Sequence, residues 1–270
     1  MPEDYGNFSM SSERIGKYID MEPQAELIMG VGPCRSGSKA QLYLMGASGY
    51  PAFDQPIKAI HRSLRLDDEP EPVTFSEGIT YFKETWGPYT EGECRLDPLE
   101  YLSEVVSLDW LRNHLKIVFL PRYPEDTWVS WRSVWSDRLP AEILFHHFCM
   151  TYQTMATTYD QYRDMGFSIE IFPYEANQRP EQSYLELFKK LNVAEKPVVE
   201  GWNRSDIHQK IKKYVREFYE PELFLPEGIR DDVKQAEGIF FSDHDPETID
   251  REIPQEIYDG YENLREKSPF

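Results

Sequence analysis

The sequence has few cysteines and no long apolar run, and each absence argues against a class of protein. Its 270 residues include three cysteines, Cys34, Cys94 and Cys149, which are widely spaced and odd in number. This pattern argues against a disulfide framework and favours a reducing compartment. No apolar run approaches the roughly 18 residues that a membrane-spanning helix needs. Because the segment Met1–Asp20 is polar and acidic, we expect no signal peptide or membrane anchor and predict a cytoplasmic protein.

Basic residues are also scarce. The chain has 29 lysines and arginines against 48 acids, which gives a formal net charge of −19. Much of the excess lies in Glu217–Phe270, where sixteen acids accompany five bases, and a solvated acidic face is the simplest interpretation of such a run. Since no basic patch offsets the repulsion of phosphates, we do not expect a nucleic-acid partner.

What the sequence does contain is a glycine-rich segment, Glu26–Ala40, which reads ELIMGVGPCRSGSKA. An apolar run, a loop and a helix-compatible stretch follow one another, as in a strand, an anion-binding loop and a helix. From Gly32 the pattern G-x4-G is met at Gly37, after which the triphosphate P-loop requires Lys and then Ser or Thr. Here Ser38 precedes Lys39, which suits a compact, doubly substituted anion without an obligatory metal. An ordinary βα turn is the structural alternative.

A second segment, Leu115–Trp131, has a comparable organisation. The apolar run Ile117–Leu120 predicts a buried strand that ends just before Arg122. Pro124 and the two acids after it predict a helix start, and Ser130, eight residues after Arg122, lies on that helix. Because ligands of open α/β sheets bind outside the carboxyl ends of the strands, two such strand ends indicate a ligand with two anionic groups.

Together the two segments resemble the sulfotransferases that use 3'-phosphoadenosine 5'-phosphosulfate (PAPS). In that family a P-[KR]-S-G-[ST]-[ST] loop cradles the 5'-phosphosulfate, and R-x-P followed by a serine at the same eight-residue spacing binds the 3'-phosphate. This chain has R-S-G-S and R-Y-P-x5-S, but Cys34 separates Pro33 from the arginine of the loop, and Lys39 replaces the second hydroxyl. The resemblance assigns cofactor binding to Arg35, Ser36, Gly37, Ser38, Lys39, Arg122 and Ser130.

The fold that we expect is α/β, with a central parallel sheet between helices in the three-layer architecture of the P-loop sulfotransferases. Predicted strands and helices alternate along the chain, which independently favours a parallel sheet covered on both faces. The resemblance points to the soluble bacterial and carbohydrate-type branch, as one domain over residues 1–270 with an irregular acidic region from about residue 220. The predicted elements that follow the first loop are strands at Gly78–Phe82 and Ile169–Pro173, helices at Pro98–His114, Pro140–Met165, Gln182–Leu191 and Asp206–Tyr219, and a loop at Gly87–Asp97 that covers the cleft as a lid.

Sulfuryl transfer needs a proton acceptor and groups that stabilise developing charge. For the proton acceptor we favour Glu84, then Asp54, then His61, and we assign Lys83 and Lys58 to the transferring group. Each assignment has a structural alternative. Lys83 and Glu84 are neighbours on a strand, so only one of them faces a given cleft; Asp54 can cap a turn, and His61 can lie on an exposed helix face. We expect no metal site, and adjacent His146 and His147 point in different directions if helical.

The leading functional hypothesis is a PAPS-dependent sulfotransferase that acts on a hydroxyl or amine of a small-molecule acceptor. One alternative is a P-loop kinase of a small molecule, against which the order Ser38-Lys39 argues. The other is a non-catalytic relative that keeps the nucleotide cleft. Gln55, which stands about where the family often has glutamate, keeps that alternative open.

Overall fold

The computed structural model describes residues 16–194, 196–199, 215–217 and 251–270. The strands in this part of the chain are β1 (Ile19–Met21), β2 (Ala25–Pro33), β3 (Ala52–Asp54), β4 (Val73–Phe75), β5 (Gly78–Trp86), β6 (Leu115–Phe119), β7 (Ser168–Ile171) and β8 (Val215–Glu217). Within the described ranges, the central sheet has the strand order β7-β6-β2-β5-β3-β8, and every neighbouring pair is parallel. Strands β1 and β4 form a separate parallel pair.

Helices cover both faces of this sheet. They are α1 (Ser38–Ala47), α2 (Pro56–Arg65), α3 (Glu91–Cys94), α4 (Pro98–Ser103), α5 (Leu108–His114), α6 (Pro124–Trp135), α7 (Ala141–Asp164), α8 (Pro180–Lys190) and α9 (Gln255–Glu266), with a 3₁₀ helix at Tyr174–Gln178. Apolar residues of α1 and α8 pack on one face of the sheet, and those of α2, α6, α7 and α9 pack on the other. The protein is therefore an α/β protein with a central parallel sheet between helices, as predicted.

Local patterns predicted most of these elements. The strand expected at Gly78–Phe82 is present and continues to Trp86. The long helix expected at Pro140–Met165 is α7, and its apolar stripe is buried in the core at Leu144, Phe148, Tyr152 and Met155. Because these residues are buried, their helical spacing in the sequence predicted the helix correctly.

Three predictions about the elements were wrong. The segment Pro98–His114 forms two helices, because Ser107 caps a new one by accepting a hydrogen bond from the N–H of Trp110. The segment Gly87–Asp97 is not a lid: it contains α3, and Glu93 and Cys94 on that helix are buried. Val215–Glu217 is a strand that pairs with β3 rather than part of a helix; the rest of that predicted helix lies outside the described residues.

The C-terminal helix α9 packs against α7 and α6. Its residues Ile257, Tyr261 and Leu264 are buried in the same core as the sheet. Residues 218–250 of the acidic region lie outside the described residues. In the ranges that the structure describes, no helix has the length and apolar character needed to cross a bilayer.

Candidate anion-binding and active site

The candidate site lies at the carboxyl edge of the parallel sheet. The loop Cys34–Gly37 follows β2, and Arg122 follows β6, which is the neighbouring strand. On the other side of β2, strand β5 carries Lys83 and Thr85 close to its end, and β3 beyond it ends at Asp54. Parallel pairing therefore collects residues from four separate segments of the chain at one edge, where open α/β sheets bind ligands.

The loop needs glycine at Gly37. This residue begins α1 with φ of 82°, a left-handed conformation that glycine adopts without strain. A Cβ atom there would lie 2.8 Å from the ring of Tyr174, so the packing excludes a side chain as well. The turn places Ser38 and Lys39 in the first turn of α1, where backbone N–H groups have no partner within the helix.

Ser36 has a buried hydroxyl that lacks a hydrogen-bond partner among the described residues. Its side chain is 2% exposed, and Oγ makes no hydrogen bond within the described part of the chain. A buried hydroxyl left unpaired costs about 1–3 kcal/mol. Gly32 makes room for it, because a Cβ there would lie 2.9 Å from this oxygen and 2.6 Å from the carbonyl oxygen of Leu120. An anionic oxygen bound by the loop is the kind of acceptor that this hydroxyl lacks.

The two sequence motifs meet at Arg35 and Arg122. Arg35 Nε donates a hydrogen bond to Ser130 Oγ at 3.1 Å, and Arg122 Nη1 donates to the carbonyl oxygen of Arg35 at 2.8 Å. The guanidinium of Arg122 is buried and lies 4.0 Å from the ring centroid of Tyr174. The predicted residues of both motifs are thus brought together, with direct contacts that their spacing in sequence did not indicate.

A second cluster joins Asp54 with two lysines. Lys39 Nζ pairs with Asp54 Oδ2, and Lys83 Nζ lies 2.7 Å from Oδ1. Asp54 and Lys83 are direct partners in the register of β3 and β5, which explains their contact. Burial by itself would raise the pKa of Asp54, but the two lysines outweigh burial and hold the pKa well below its ordinary value. The side chain of Lys39 is 42% exposed, so the cluster reaches solvent.

Glu84 lies on the other face of β5. It is 2% exposed, and its two carboxylate oxygens accept hydrogen bonds from the backbone N–H groups of Ile57 and Lys58, at the start of α2. Burial raises the pKa of Glu84 to about 8, although these N–H donors favour the ionised form. The carboxyl group therefore accepts hydrogen bonds at the N-terminus of α2. It points away from the pair formed by Lys39 and Asp54.

Lys58 belongs to a buried ion cluster that the sequence analysis missed. Its Nζ donates to the carbonyl oxygens of Thr85 and Gly87 and lies 3.2 Å from Glu93 Oε2. Arg62 forms two hydrogen bonds with the same carboxylate, at 3.0 and 3.1 Å. The sequence did contain a signal for the start of α3, the helix that carries Glu93. Thr90 and Glu93 match a capping box, and Thr90 Oγ1 does accept from the N–H of Glu93.

His61 and His147 take structural positions. His61 is buried, not exposed as considered above, and burial lowers its pKa to about 4. His147 is buried with Nδ1 at the carbonyl oxygen of Pro88, whereas His146 is largely exposed. Among the described residues, no group of three or more histidines, cysteines or acids is arranged to hold a metal ion.

Gln55 is held in an unusual conformation at the end of β3. Its φ of 52° is left-handed, which is uncommon for a residue other than glycine. Its side-chain oxygen accepts a hydrogen bond from Thr85 Oγ1, which lies 3.1 Å from Cys34 Sγ. Thr85 and Tyr174 had no role in the sequence analysis, because nothing local in the sequence marks them, and Cys34 appeared there only as an interruption of the loop motif.

Fold and site together define an α/β protein with a candidate anion-binding site at the carboxyl edge of its sheet. No protein-family model matches the sequence, and a search of curated proteins found no similar sequence. Among solved structures, a crystal structure of mouse sulfotransferase SULT7A1 complexed with PAP is similar, with 13% identity and a TM-score of 0.42. The match covers 95% of this chain and 88% of that chain. A likeness of this size carries no argument about activity.

Proposed function

We propose that the protein is a PAPS-dependent sulfotransferase that transfers a sulfuryl group to a hydroxyl or amine of a small-molecule acceptor. The observation that carries this proposal is the contact of Arg35 with Ser130 and of Arg122 with Arg35, which joins the loop after β2 to the end of β6. A nucleotide with a 5'-phosphosulfate and a 3'-phosphate presents two anionic groups to such a joined site. The side chains of arginine and serine donate hydrogen bonds that are suited to the phosphate oxygens of these two groups.

The residues suit PAPS on chemical grounds. The unpaired hydroxyl of Ser36, the start of α1 at Ser38 and the ammonium of Lys39 would hold the 5'-phosphosulfate. Arg122 and Ser130 would hold the 3'-phosphate. When bound, PAPS supplies an activated sulfuryl group whose leaving group is a phosphate.

For the proton acceptor we now favour Asp54 over Glu84 and His61. Asp54 belongs to the cluster that reaches solvent beside the loop, whereas Glu84 is engaged at the start of α2. The half-exposed Lys39 is able to turn from Asp54 toward an anion held by the loop. The pKa of Asp54 would then rise toward its ordinary value, which makes the carboxylate a better base for the acceptor's proton.

The two other lysines have different proposed roles. Lys83 stays buried beside Asp54 and contributes positive charge close to the transferring group. Lys58 is 0% exposed and is fully engaged with Thr85, Gly87 and Glu93, so we assign it to holding the end of β5 in place rather than to direct contact with the sulfuryl group.

Ligand-dependent thermal stabilisation tests the choice of nucleotide. We expect 3',5'-adenosine bisphosphate (PAP), the product of the transfer, to raise the melting temperature by an amount that grows with the logarithm of its concentration over its dissociation constant. ATP with Mg²⁺ should give a much smaller shift. A larger shift with ATP and Mg²⁺ supports the kinase alternative, and no shift with PAP contradicts the proposal.

Transfer of sulfur from labelled PAPS to a panel of hydroxyl and amine acceptors tests catalysis. Labelled product that depends on the protein supports an enzyme. Binding of PAP without product across the panel supports the non-catalytic alternative. We also propose a location in the reducing cytoplasm, because three widely spaced cysteines argue against a disulfide framework.

A further inference from the structure

The peptide group between Arg122 and Tyr123 is held by side chains on both sides. The hydroxyl of Tyr152 donates a 2.6 Å hydrogen bond to the carbonyl oxygen of Arg122. The N–H of Tyr123 donates to Glu175 Oε1 at 3.1 Å. Because the carbonyl of Arg122 and the N–H of Tyr123 belong to one peptide plane, these two bonds hold the orientation of that plane, which includes the Cα atom of Arg122.

Glu175 comes from a different part of the chain than the arginine. It lies in the 3₁₀ helix that follows β7, next to Tyr174, whose ring covers the guanidinium of Arg122. One short helix therefore contacts both the N–H of the residue after this arginine and the guanidinium of the arginine itself. The other carboxylate oxygen of Glu175, Oε2, is buried and makes no hydrogen bond in the part of the chain that the structure describes.

The C-terminal helix α9 packs against the residues that hold this peptide group, Tyr123 and Glu175. The ring of Tyr261 lies edge-on to the ring of Tyr123 with centroids 5.6 Å apart, and the Tyr261 hydroxyl lies beside the carboxylate of Glu175. Tyr258 of the same helix donates a hydrogen bond to Glu125 at 2.8 Å. The helix is thereby attached to the first turn of α6, directly after Arg122.

We propose that Glu175 is a positioning residue for Arg122, and that Tyr261 of the C-terminal helix supports Glu175 in this role. The inference rests on the proposed function, since it concerns the site assigned to the 3'-phosphate. Its consequence is that recognition of the 3'-phosphate depends on α9, which packs against α6 and α7. An arginine held in place before binding loses less conformational freedom when it binds.

The test compares two nucleotides that differ only at the 3' position. Isothermal titration gives the dissociation constants of PAP and of AMP, which lacks the 3'-phosphate. The dissociation constant of AMP divided by that of PAP measures 3'-phosphate recognition. We expect Glu175→Leu to weaken PAP about tenfold and to leave AMP unchanged, so that the ratio falls about tenfold. Glu175→Gln keeps an oxygen acceptor for the N–H of Tyr123 and should restore the ratio.

Two further variants complete the design. Tyr261→Phe keeps the ring and removes the hydroxyl, and we expect a smaller fall in the ratio, about threefold. Glu170→Leu serves as the matched control, because Glu170 lies on β7 shortly before Glu175 and pairs with Lys190 away from the site. Both affinities of this control should equal those of the wild type.

The outcomes separate the inference from the proposed function. If wild-type protein does not bind PAP, the proposed function fails. If wild type binds PAP but Glu175→Leu leaves the ratio unchanged, or weakens PAP and AMP equally, only the positioning role fails. Should Glu175→Leu not fold, Tyr261→Phe decides the matter, and an unchanged ratio in that variant overturns the inference.

Discussion

Arg122 has contacts at both its carbonyl oxygen and its guanidinium. The buried guanidinium lies over Tyr174 and donates to the carbonyl oxygen of Arg35. Such preorganisation suits recognition of a phosphate, because hydrogen bonds between arginine and an anion are strong only when the fork geometry is correct.

We expect Arg122→Ala to weaken PAP by about 10- to 100-fold, since hydrogen bonds to charged groups contribute about 1.5–3 kcal/mol. Turnover at saturating PAPS should change much less, because the guanidinium is assigned to the 3'-phosphate and not to the reacting atoms. Titration with PAP and steady-state rates measure the two effects. Arg112→Ala, which removes an arginine paired with Asp109 on α5, is the control. Unaltered PAP affinity in Arg122→Ala would refute the role given to this residue.

Asp54 and Glu84 are the two carboxylates to compare as candidate proton acceptors. We expect Asp54→Asn to lower turnover by about 100-fold or more, as for loss of a general base, without weakening PAP. Glu84→Gln should keep nearly normal turnover, because the pKa of about 8 makes Glu84 largely neutral at pH 7 and the amide oxygen still accepts from the start of α2. Steady-state rates at saturating substrates are the measurement. The opposite result, with Glu84→Gln slow and Asp54→Asn active, would return the role of base to Glu84.

Among the elements, α2 and α3 are joined by the buried cluster of Lys58, Arg62 and Glu93. Burial by itself would raise the pKa of Glu93, but the two cations outweigh burial and lower it to about 2. Since the ordinary value is 4.5, the carboxylate contributes stability that is present above pH 4.5 and is lost as the pH falls toward 2.

We expect Glu93→Gln to lower the free energy of unfolding by about 3–5 kcal/mol at pH 7, because it leaves two buried cations without their carboxylate. The variant should also lose less stability than wild type when the pH falls from 4.5 to 2. Denaturant unfolding over this pH range measures both. Glu91→Gln on the same short helix is the control, as Glu91 is partly exposed and pairs with the largely exposed His146. Equal stability of Glu93→Gln and wild type would show that the cluster contributes little.

For the molecule as a whole, the described core joins residues from β1 to α9. Leu264 is 0% exposed and lies in the same apolar cluster as Leu27, Phe82 and Ile117 of the sheet. This packing supports our proposal that residues 1–270 form one domain.

We therefore expect one unfolding transition that is the same by fluorescence and by circular dichroism. Leu264→Ala should lower the free energy of unfolding by about 2–5 kcal/mol, the range for a buried leucine. Leu185→Ala on α8, where the leucine is 39% exposed, should change it by less than about 0.5 kcal/mol. Two separate transitions, with only one of them shifted by Leu264→Ala, would contradict the single domain.

Local chemistry in the sequence predicted a large part of the fold. The apolar run, glycines and following helix of Glu26–Ala40 are neighbours in sequence, so their order was sufficient to predict β2, the loop and α1. The helical period of Leu144, Phe148, Tyr152 and Met155 likewise predicted the buried face of α7. The same local reasoning joined Pro98–His114 into one helix, because a cap at Ser107 is a weak signal beside an apolar pattern.

By itself, the sequence determined that two motifs typical of anion binding follow strands, since each motif is a local pattern of residue types and spacing. Only the tertiary structure decided that Arg35 contacts Ser130, that Glu84 faces α2, and that Asp54 lies between two lysines. Alternation along a strand places Lys83 and Glu84 on opposite faces, but it does not tell which face holds the site. That choice depends on which strands are neighbours and which helices cover them, and these contacts join residues far apart in the chain.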